Sequence, residues 1–229
     1  MGRPTQGYYN DAGDKIPGTT TIIGRWKDSG GLIQWAYKSG RDHERLVHQG
    51  KEAPRHLYDV VDEAALAGNI AHDMIERHIL DQGMYEEPSD ADKSVWTRAR
   101  NSFNQFLEWR EQSRIEIVAT ERAYVSERHQ FGGTVDAIGR DGKGRIVLLD
   151  WKTSNAVYHD YLIQLAAYAL LLEECAPDWT PSGFHLLRVA KESADFAHHF
   201  YGELEDAKRA FILMRELYKL DAGLKKRAA

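Results

Sequence analysis

The feature that most constrains the fold is the continuously apolar run at residues 146–149, which leads directly into Asp150-Trp151-Lys152. Apolar residues at every position predict a strand that is covered on both faces. Asp150 and Lys152 are two residues apart, so in a strand their side chains project from the same face. A carboxylate and an ammonium at the end of a buried strand lose hydration energy, which marks them as candidates for a site.

A second acid, Asp136, lies on the preceding apolar segment, and a turn sequence, Asp-Gly-Lys-Gly, separates the two segments at residues 141–144. This pattern predicts a β-hairpin. If Ile138 pairs with Leu148, then Asp136 lies directly opposite Asp150, about 5 Å away. Two carboxylates that close either share a proton or bind a cation, and the adjacent lysine favours a divalent metal. The alternative is a hairpin that ends in a surface salt bridge.

Length and composition set broader bounds. The 229 residues suffice for one domain with an elaborated end. The net charge of −5 gives no global sign of nucleic-acid binding, which needs only a local basic patch. The single cysteine, Cys175, excludes an internal disulfide and is expected to be a small buried residue at the end of an apolar helix. Because the sequence contains neither an apolar run of membrane-spanning length nor a signal-peptide pattern, a cytoplasmic protein is expected.

Hydrophobic periodicity predicts helices followed by a block of strands, an order typical of a small mixed sheet flanked by helices. Residues 1–18 are expected to be irregular, and residues 19–24 to form a short β or turn element. Helices are predicted at residues 31–39, 57–80, 90–113, 160–174 and 203–220, the last ending before a basic tail. Strands are predicted at residues 115–126, 132–140, 145–152, 183–189 and 196–201. The expected fold is α/β (α+β mixed), with a helical N-terminal elaboration at residues 1–56 and a core at residues 57–229, in one compact domain.

The predicted helix at residues 57–80 carries Gly68, His72 and Glu76 at intervals of four, so they share one helix face. A neutral imidazole could supply a nitrogen ligand, which would favour manganese over magnesium. Gly68 costs about 1 kcal/mol relative to alanine in a helix, so it suggests that another part of the chain approaches closely. The alternative is a His–Glu surface pair worth a few tenths of a kcal/mol.

Gln164 and Tyr168 lie four residues apart on the helix that follows the acidic strand, again on one face. The amide could contact a phosphate or hold Lys152, and the phenol could stack or form a hydrogen bond. Alone, a glutamine and a tyrosine on a core helix are ordinary. Beside Asp136, Asp150 and the lysine they extend a set of residues that suits metal-assisted cleavage of a phosphodiester.

The order and spacing of these segments across residues 68–168 resemble the RecB-type branch of the PD-(D/E)XK nucleases. The matching segments are Gly68…His72, Gly133-Thr134-Val135-Asp136, Asp150-Trp151-Lys152-Thr153-Ser154 and Gln164-Leu165-Ala166-Ala167-Tyr168. Residues 17–23 and 32–35 look like the N-terminal segment of phage-borne members. The mitochondrial genome-maintenance exonucleases have a similar D-W-K-T-S. The combined pattern is specific, whereas any single piece of it is not.

The resemblance implies a restriction-endonuclease-like core that binds one or two Mg²⁺ or Mn²⁺ ions. The metal ligands would be Asp136, Asp150, His72 and the carbonyl oxygen of Trp151. Lys152 would orient the attacking water or stabilise developing charge. Many relatives, including the CRISPR-adaptation branch, carry four cysteines that hold an iron–sulfur cluster. This chain departs from them and resembles a member without the cluster.

Further residues extend the implied site. Gln164 and Tyr168 match the family segment that supports substrate binding, and Glu121 matches an acid upstream of the first aspartate. Glu76 is an accessory candidate. Basic and aromatic side chains of the N-terminal part are candidates for contacts with phosphates and unpaired bases, although solvation or core packing is their ordinary role: Arg25, Trp26, Lys27, Trp35, Tyr37, Lys38, Arg41 and Arg45.

The expected function is therefore a metal-dependent DNA exonuclease that acts on single strands or DNA ends and leaves 5′-phosphates. It would serve phage or bacterial recombination and repair, with DNA and a recombination or single-strand-annealing protein as partners, and no membrane. The nearest alternative is a structure-specific endonuclease on the same core. An alternative of a different class is a non-catalytic DNA-binding module that keeps the fold.

Overall fold

The computed structural model describes residues 4, 6–27, 30–51, 57–83, 85–87, 92–154, 156–189 and 196–228. Its helices are α1 Thr19–Arg25, α2 Gly30–His48, α3 Leu57–Ile79, α4 Lys93–Gln112, α5 His159–Cys175 and α6 Glu205–Ala228. Its strands are β1 Tyr8–Tyr9, β2 Lys15–Ile16, β3 Glu116–Ser126, β4 Phe131–Arg140, β5 Ile146–Thr153, β6 Phe184–Val189 and β7 Phe196–Tyr201. None of the helices in these ranges is long and apolar enough to cross a membrane.

Strands β3 to β7 form one sheet in chain order, and β1 pairs with β2 in a separate hairpin. All neighbours in the five-stranded sheet are antiparallel except β5 and β6, which are parallel and joined by the crossover helix α5. One core cluster joins α1, α5 and α6 to one face of the sheet, and another joins α3 and α4 to the other face. The predicted mixed sheet flanked by helices is confirmed.

The apolar strand β5 is buried on both faces, as its composition predicted. Leu148 and Leu149 are fully inaccessible to solvent. Ile138 pairs with Leu148, so the predicted hairpin register is confirmed. The observed pairing continues to Ala137 and Leu149 and ends one position before the two aspartates.

The N-terminal segment differs from the sequence-based expectation in two places. Part of the expected irregular region is a hairpin, β1–β2, with a turn around Gly13. Residues 19–24, predicted as a β or turn element, belong to helix α1 instead. Ile22 and Ile23 are buried in the cluster beneath α5, so burial outweighs the weak helix propensity of the segment. Helix α2 also continues to His48, beyond its predicted end.

Two expectations near the end of the chain are also wrong. Helix α6 does not stop before the basic tail but continues to Ala228. Lysines and arginines in the last turn interact favourably with the helix dipole, and Lys225 forms an ion pair with Asp221 one turn earlier at 3.2 Å. Cys175, expected to be buried, is exposed at the end of α5, where the helix emerges from the core, and its Sγ donates to the carbonyl of Val125.

Gly68 marks the contact that seats α3 against the sheet. A Cβ at this position would lie 2.6 Å from Oγ1 of Thr153 at the end of β5. The close approach predicted from Gly68 is therefore made by β5. It holds the helix that carries His72 against the strand that carries Asp150.

We expect Gly68→Ala to lower the free energy of unfolding by about 1–3 kcal/mol, because the added methyl group cannot fit without displacing Thr153 or α3. The matched control is Gly223→Ala in α6, where, beyond the surrounding turns of the helix, no described residue lies within 4 Å of the added Cβ. There the helix propensity of alanine should raise stability by up to about 1 kcal/mol. Urea denaturation measures both variants. Equal effects of the two substitutions would contradict the packing argument.

A second testable contact joins β6 and β7. The rings of His185 and His198 stack with centroids 5.0 Å apart, and Nδ1 of His185 shares a hydrogen bond of 2.7 Å with Nε2 of His198. Burial, together with the neighbouring His198, lowers the pKa of His185 from 6.5 to about 4. The unfolded chain therefore binds a proton here near pH 6.5, whereas the folded chain does so only near pH 4.

The unfolded state thus binds more protons between these two values, so the contribution of His185 to stability is complete above pH 6.5 and is lost as the pH falls towards 4. We expect a loss of about 2–3 kcal/mol over this window. His185→Leu should flatten the pH dependence of the unfolding free energy, whereas His48→Gln, at an exposed position on α2, should not. Identical pH profiles for His185→Leu and the wild type would refute the assignment.

Candidate active site

Three neighbouring strands bring one acid each to the same level of the sheet. The β3–β4 register places Glu121 opposite Asp136. The β4–β5 register, continued by one position, places Asp136 opposite Asp150. Both aspartates are buried, with exposed fractions of 2% and 0%, although aspartate is almost never fully buried without partners. The row therefore concentrates three carboxyl groups where ordinary core residues would be expected.

His72 of α3 completes a cluster with two of these acids. One ring nitrogen of His72 and one carboxylate oxygen each of Glu121 and Asp136 lie within 4.8 Å of one another. Glu121 has a φ of 47°, in the left-handed region that non-glycine residues rarely adopt and that is enriched at functional sites. Glu76, one turn further along α3, is not part of this cluster.

Two buried oxygens in the site lack a hydrogen-bond partner among the described residues, Oδ2 of Asp136 and Oδ2 of Asp150. An unsatisfied buried acceptor costs about 1–3 kcal/mol, and more when it is charged. A cation held between these oxygens and the His72–Glu121 cluster would remove that cost. Carboxylate oxygens with one imidazole nitrogen suit Mg²⁺ or Mn²⁺, so the residues present fit a divalent metal.

Lys152 forms an ion pair with the buried aspartate beside it. Its Nζ donates to Oδ1 of Asp150 at 2.7 Å and lies 5.5 Å from the ring centroid of Tyr161. Burial raises the pKa of Asp150, and Asp136 raises it further against the opposing effect of Lys152. Burial alone would lower the pKa of Lys152, but the two aspartates outweigh it and raise that pKa. The lysine therefore stays charged.

Gln164 and Tyr168 hold the other side of Asp150. The amide Nε2 of Gln164 lies 2.7 Å from the Tyr168 hydroxyl and 3.5 Å from Oδ1 of Asp150. Burial raises the pKa of Tyr168 well above its usual range, so its phenol stays neutral. The amide thus contacts the same carboxylate oxygen that receives Lys152. Since Oδ1 receives both Lys152 and Gln164, only Oδ2 is left open towards a cation.

Trp151 contacts His72 through both its backbone and its side chain. The indole Nε1 donates to Nδ1 of His72 at 3.1 Å, and Nε2 of His72 lies 3.1 Å from the Trp151 carbonyl oxygen. An indole N–H can only donate, so a neutral His72 in this arrangement keeps its proton on Nε2. Binding of a metal through Nε2 would therefore require the proton to move to Nδ1 and the indole N–H to give up its bond there. Nε2 and the carbonyl oxygen of Trp151 would then face the same position.

The sequence did not indicate Tyr8, which lies against the site from the N-terminal hairpin. Its hydroxyl shares a hydrogen bond of 2.9 Å with Oγ1 of Thr134, two residues before Asp136. The Tyr8 ring occupies the space where a side chain at Gly132 would stand, and a Cβ at Gly133 would lie 2.7 Å from Oγ1 of Thr19. The two consecutive glycines were the available signal, because paired glycines in a strand indicate close approach by another segment.

Arg188 is a second residue that the sequence did not indicate. It pairs in register with Lys152 across the parallel strands β5 and β6, so both side chains project from the same face. Its exposed fraction is 7%, and its Nη1 donates to the carbonyl oxygen of Ser154 at 3.3 Å. A single arginine in a short strand carries no spacing pattern, so only the pairing of the strands reveals its position.

The N-terminal basic residues are largely engaged in surface contacts. Arg25 forms a two-pronged contact with Asp221, and Lys27 lies 3.1 Å from Asp160. Arg45 contacts Asp42 at 3.2 Å, an intrahelical pair. On α2 and at the end of α1, the side chains of Trp26, Tyr37, Lys38 and Arg41 are exposed. The side chain of Trp35 lies outside the part of the chain that the structure describes.

Sequence and structure comparisons place these features among known proteins. A family model for the PD-(D/E)XK nuclease superfamily matches residues 32–227. No curated protein matches the chain.

Several solved structures are similar to the chain. The alkaline exonuclease LHK-Exo from Laribacter hongkongensis is 11% identical with a TM-score of 0.36, over 70% of this chain and 84% of that chain. LHK-Exo in complex with dAMP gives 11% identity and a TM-score of 0.36, over 72% and 96%. The EndoMS–dsDNA2 complex gives 21% identity and a TM-score of 0.28, over 48% and 44%. At these identities and TM-scores the likeness says nothing about activity.

Proposed function

The chain belongs to the PD-(D/E)XK nuclease superfamily, and on that premise we propose that it is a divalent-metal-dependent DNA exonuclease. Membership confirms the family expected from the sequence, and the five-stranded mixed sheet flanked by helices is the restriction-endonuclease-like fold of that superfamily. PD-(D/E)XK nucleases use divalent metals, so a nuclease with a metal centre is the starting point for the finer proposal.

The observation that carries the proposal is a pair of buried oxygens, on Asp136 and Asp150, that have no hydrogen-bond partner in the described part of the chain. They lie beside the His72–Glu121–Asp136 cluster. A protein that only bound DNA would have no reason to bury two carboxylates in the centre of its sheet, where each destabilises the fold. The ion pair between Asp150 and Lys152 supplies the cation that a phosphate-cleaving site needs beside its metal.

The chemistry assigns a separate task to each part of the site. A divalent cation bound there would polarise the scissile phosphate and lower the pKa of a bound water. Water adds to phosphorus, the bond from phosphorus to the 3′ oxygen breaks, and that oxygen takes up a proton, which leaves a 5′-phosphate. Lys152, with its ammonium held by Asp150 and Tyr161, offsets the charge that grows on the phosphate oxygens. Gln164 keeps Asp150 oriented for this arrangement.

The choice of substrate and of end-directed cleavage is supported by the resemblance of residues 68–168 to the RecB-type branch. On that basis the substrate is DNA, as single strands or at DNA ends. The setting is recombination and repair or phage DNA metabolism, where a recombination or single-strand-annealing protein is the expected partner.

The test is an assay of linear and circular single-stranded DNA, and of end-labelled duplex DNA, with Mg²⁺ or Mn²⁺ and with EDTA. We expect mononucleotides with a 5′-phosphate from linear DNA in the presence of metal, little cleavage of circles, and none in EDTA. Equal rates on circles and linear strands would establish an endonuclease instead. Tight DNA binding without hydrolysis under any metal condition would establish a binding module.

A further inference from the structure

A pocket of about 510 Å³ opens between the N-terminal hairpin and strand β4, next to the proposed site. This volume lies within the usual range for a small-molecule site. Two of the residues that line the pocket, Thr134 on β4 and Tyr168 on α5, also border the candidate active site. The side chains used in the argument below are Tyr8, Lys15, Thr20, Thr134, Tyr168 and Tyr218.

The hairpin wall of this pocket is tied firmly to the sheet. Tyr8 bonds to Thr134, and the side chain of Asn10 donates to Gln130 at 2.8 Å. The backbone N–H of Asp11 donates to Glu127 at 2.7 Å. Just beyond the hairpin, the N–H of Gly132 donates to the carbonyl of Pro17 at 3.0 Å. The pocket is therefore largely preformed and does not depend on a loop closing over it.

The shape of the pocket depends on the absence of two side chains. Tyr8 packs directly over Gly132, and Thr19 and Tyr168 pack over Gly133. These glycines let an aromatic ring and a hydroxyl group approach the strand three and four residues before Asp136. The pocket consequently reaches Thr134, two residues before Asp136, and Tyr168, whose hydroxyl bonds to Gln164 beside Asp150.

The groups that line the pocket match a nucleotide better than an apolar ligand. The half-buried rings of Tyr8 and Tyr218 can stack on a base, and the exposed hydroxyls of Thr20 and Thr21 can bond to sugar and phosphate oxygens. The exposed ammonium of Lys15 can pair with a phosphate. We propose that this pocket receives the terminal nucleotide of the DNA strand being cut, with Lys15 at its phosphate. The inference rests on the proposed nuclease function and specifies how that function is directed to an end.

The hairpin explains why such a pocket would select ends. A strand that continued past the terminal nucleotide would run into the β1–β2 wall, whereas a strand that stops there fills the pocket. Cleavage would then take place one nucleotide from an end, because the pocket holds one nucleotide beside Asp136. Tyr8 acts here as a positioning residue, since it shapes the wall and touches Thr134.

Binding can be measured without catalysis on the Asp150→Asn variant of the full chain. We expect dTMP to bind in isothermal titration calorimetry, and thymidine or inorganic phosphate alone to bind at least about tenfold more weakly, since each offers only part of the contacts. Adding Lys15→Ala should weaken dTMP binding about tenfold, and Thr20→Trp, which fills the pocket from an exposed position, should abolish it. Lys143→Ala is the matched control, an exposed lysine in the β4–β5 turn at the opposite end of β4.

Cleavage assays on the otherwise unchanged protein complete the test. We expect Lys15→Ala and Thr20→Trp to lower the ratio of linear to circular cleavage at least fivefold, and Lys143→Ala to leave it unchanged. If DNA is hydrolysed but dTMP binding and this ratio are insensitive to Lys15→Ala and Thr20→Trp, the pocket assignment is wrong while the nuclease proposal stands. If no DNA is hydrolysed under any condition but dTMP binds in the pocket, the nuclease proposal fails and the binding assignment survives.

Discussion

Asp150→Asn should abolish DNA hydrolysis, with kcat lower by roughly 10³-fold or more, because the carboxylate proposed to face the metal becomes a neutral amide. The substitution keeps the size of the side chain, so Lys152 and Gln164 stay in place. Steady-state cleavage of linear single-stranded DNA with Mg²⁺ measures the loss. A Mn²⁺ titration monitored by thermal shift should show a much smaller stabilisation than for the wild type, as a readout independent of activity.

The same variant should keep a stability close to that of the wild type in the absence of metal. The amide removes a buried carboxylate whose Oδ2 has no hydrogen-bond partner in the described part of the chain, and this gain offsets the loss of the charge opposite Lys152. The matched control is Asp141→Asn, at the exposed turn of the same hairpin. There the carboxylate bonds to the backbone N–H groups of Lys143 and Arg145, so the control should lose stability but keep its activity.

Asp150→Asn should therefore lose activity but not stability, whereas Asp141→Asn should lose stability but not activity. Cleavage of DNA by Asp150→Asn at the wild-type rate would refute the assignment of Asp150 to a metal site. An Asp150→Asn protein that unfolds in metal-free buffer would show instead that the carboxylate is structural.

Lys152→Met should lower kcat by about 10²–10³-fold, because it removes the ammonium that offsets charge on the phosphate oxygens while it keeps the length of the side chain. The value of KM should change little, since the charge that Lys152 is proposed to offset develops in the transition state. At high pH, where Asp150 is ionised, the midpoint of a Mn²⁺ titration should not weaken, because loss of the ammonium removes its repulsion of a cation bound beside Asp150.

Lys143→Met provides the control for this substitution, since it removes an exposed ammonium from the β4–β5 turn. It should leave kcat, KM and the Mn²⁺ midpoint unchanged. If Lys152→Met instead raised KM and left kcat intact, the lysine would contribute to DNA binding and the assigned role in charge stabilisation would be wrong.

The parts of the fold that the sequence predicted well are those with the strongest local pattern. Residues 146–149 are apolar at each position and form the buried strand β5, and the Asp-Gly-Lys-Gly turn sets the register with Ile138 opposite Leu148. Helices α3, α4 and α5 begin and end within a few residues of their predicted bounds, because each carries many apolar residues at helical spacing. The division at residue 56 stays a prediction.

The parts that the sequence predicted poorly are those where distant residues decide the conformation. Residues 19–24 have β-branched side chains but are helical, because Ile22 and Ile23 enter the cluster beneath α5. The β1–β2 hairpin has strands of only two residues each, and it is held by contacts with residues more than 100 positions away. No local pattern contains those contacts.

The sequence by itself determined which side chains could do chemistry. Asp136, Asp150 and Lys152 follow from strand periodicity and turn position, and His72 and Gln164 follow from helical spacing and the resemblance to a nuclease family. Their positions in the sequence are enough for this identification, because periodicity assigns each side chain to a face of its own helix or strand.

Only the tertiary structure decided how those faces meet. It brings Glu121 to Asp136 and His72 and places Tyr8 beside the site. It also leaves one oxygen of each buried aspartate without a hydrogen-bond partner among the described residues. The physical reason is that convergence depends on strand register and helix packing, which are set by burial across the whole chain. Convergence of this kind turns a set of charged residues into a candidate metal centre with a pocket at its side.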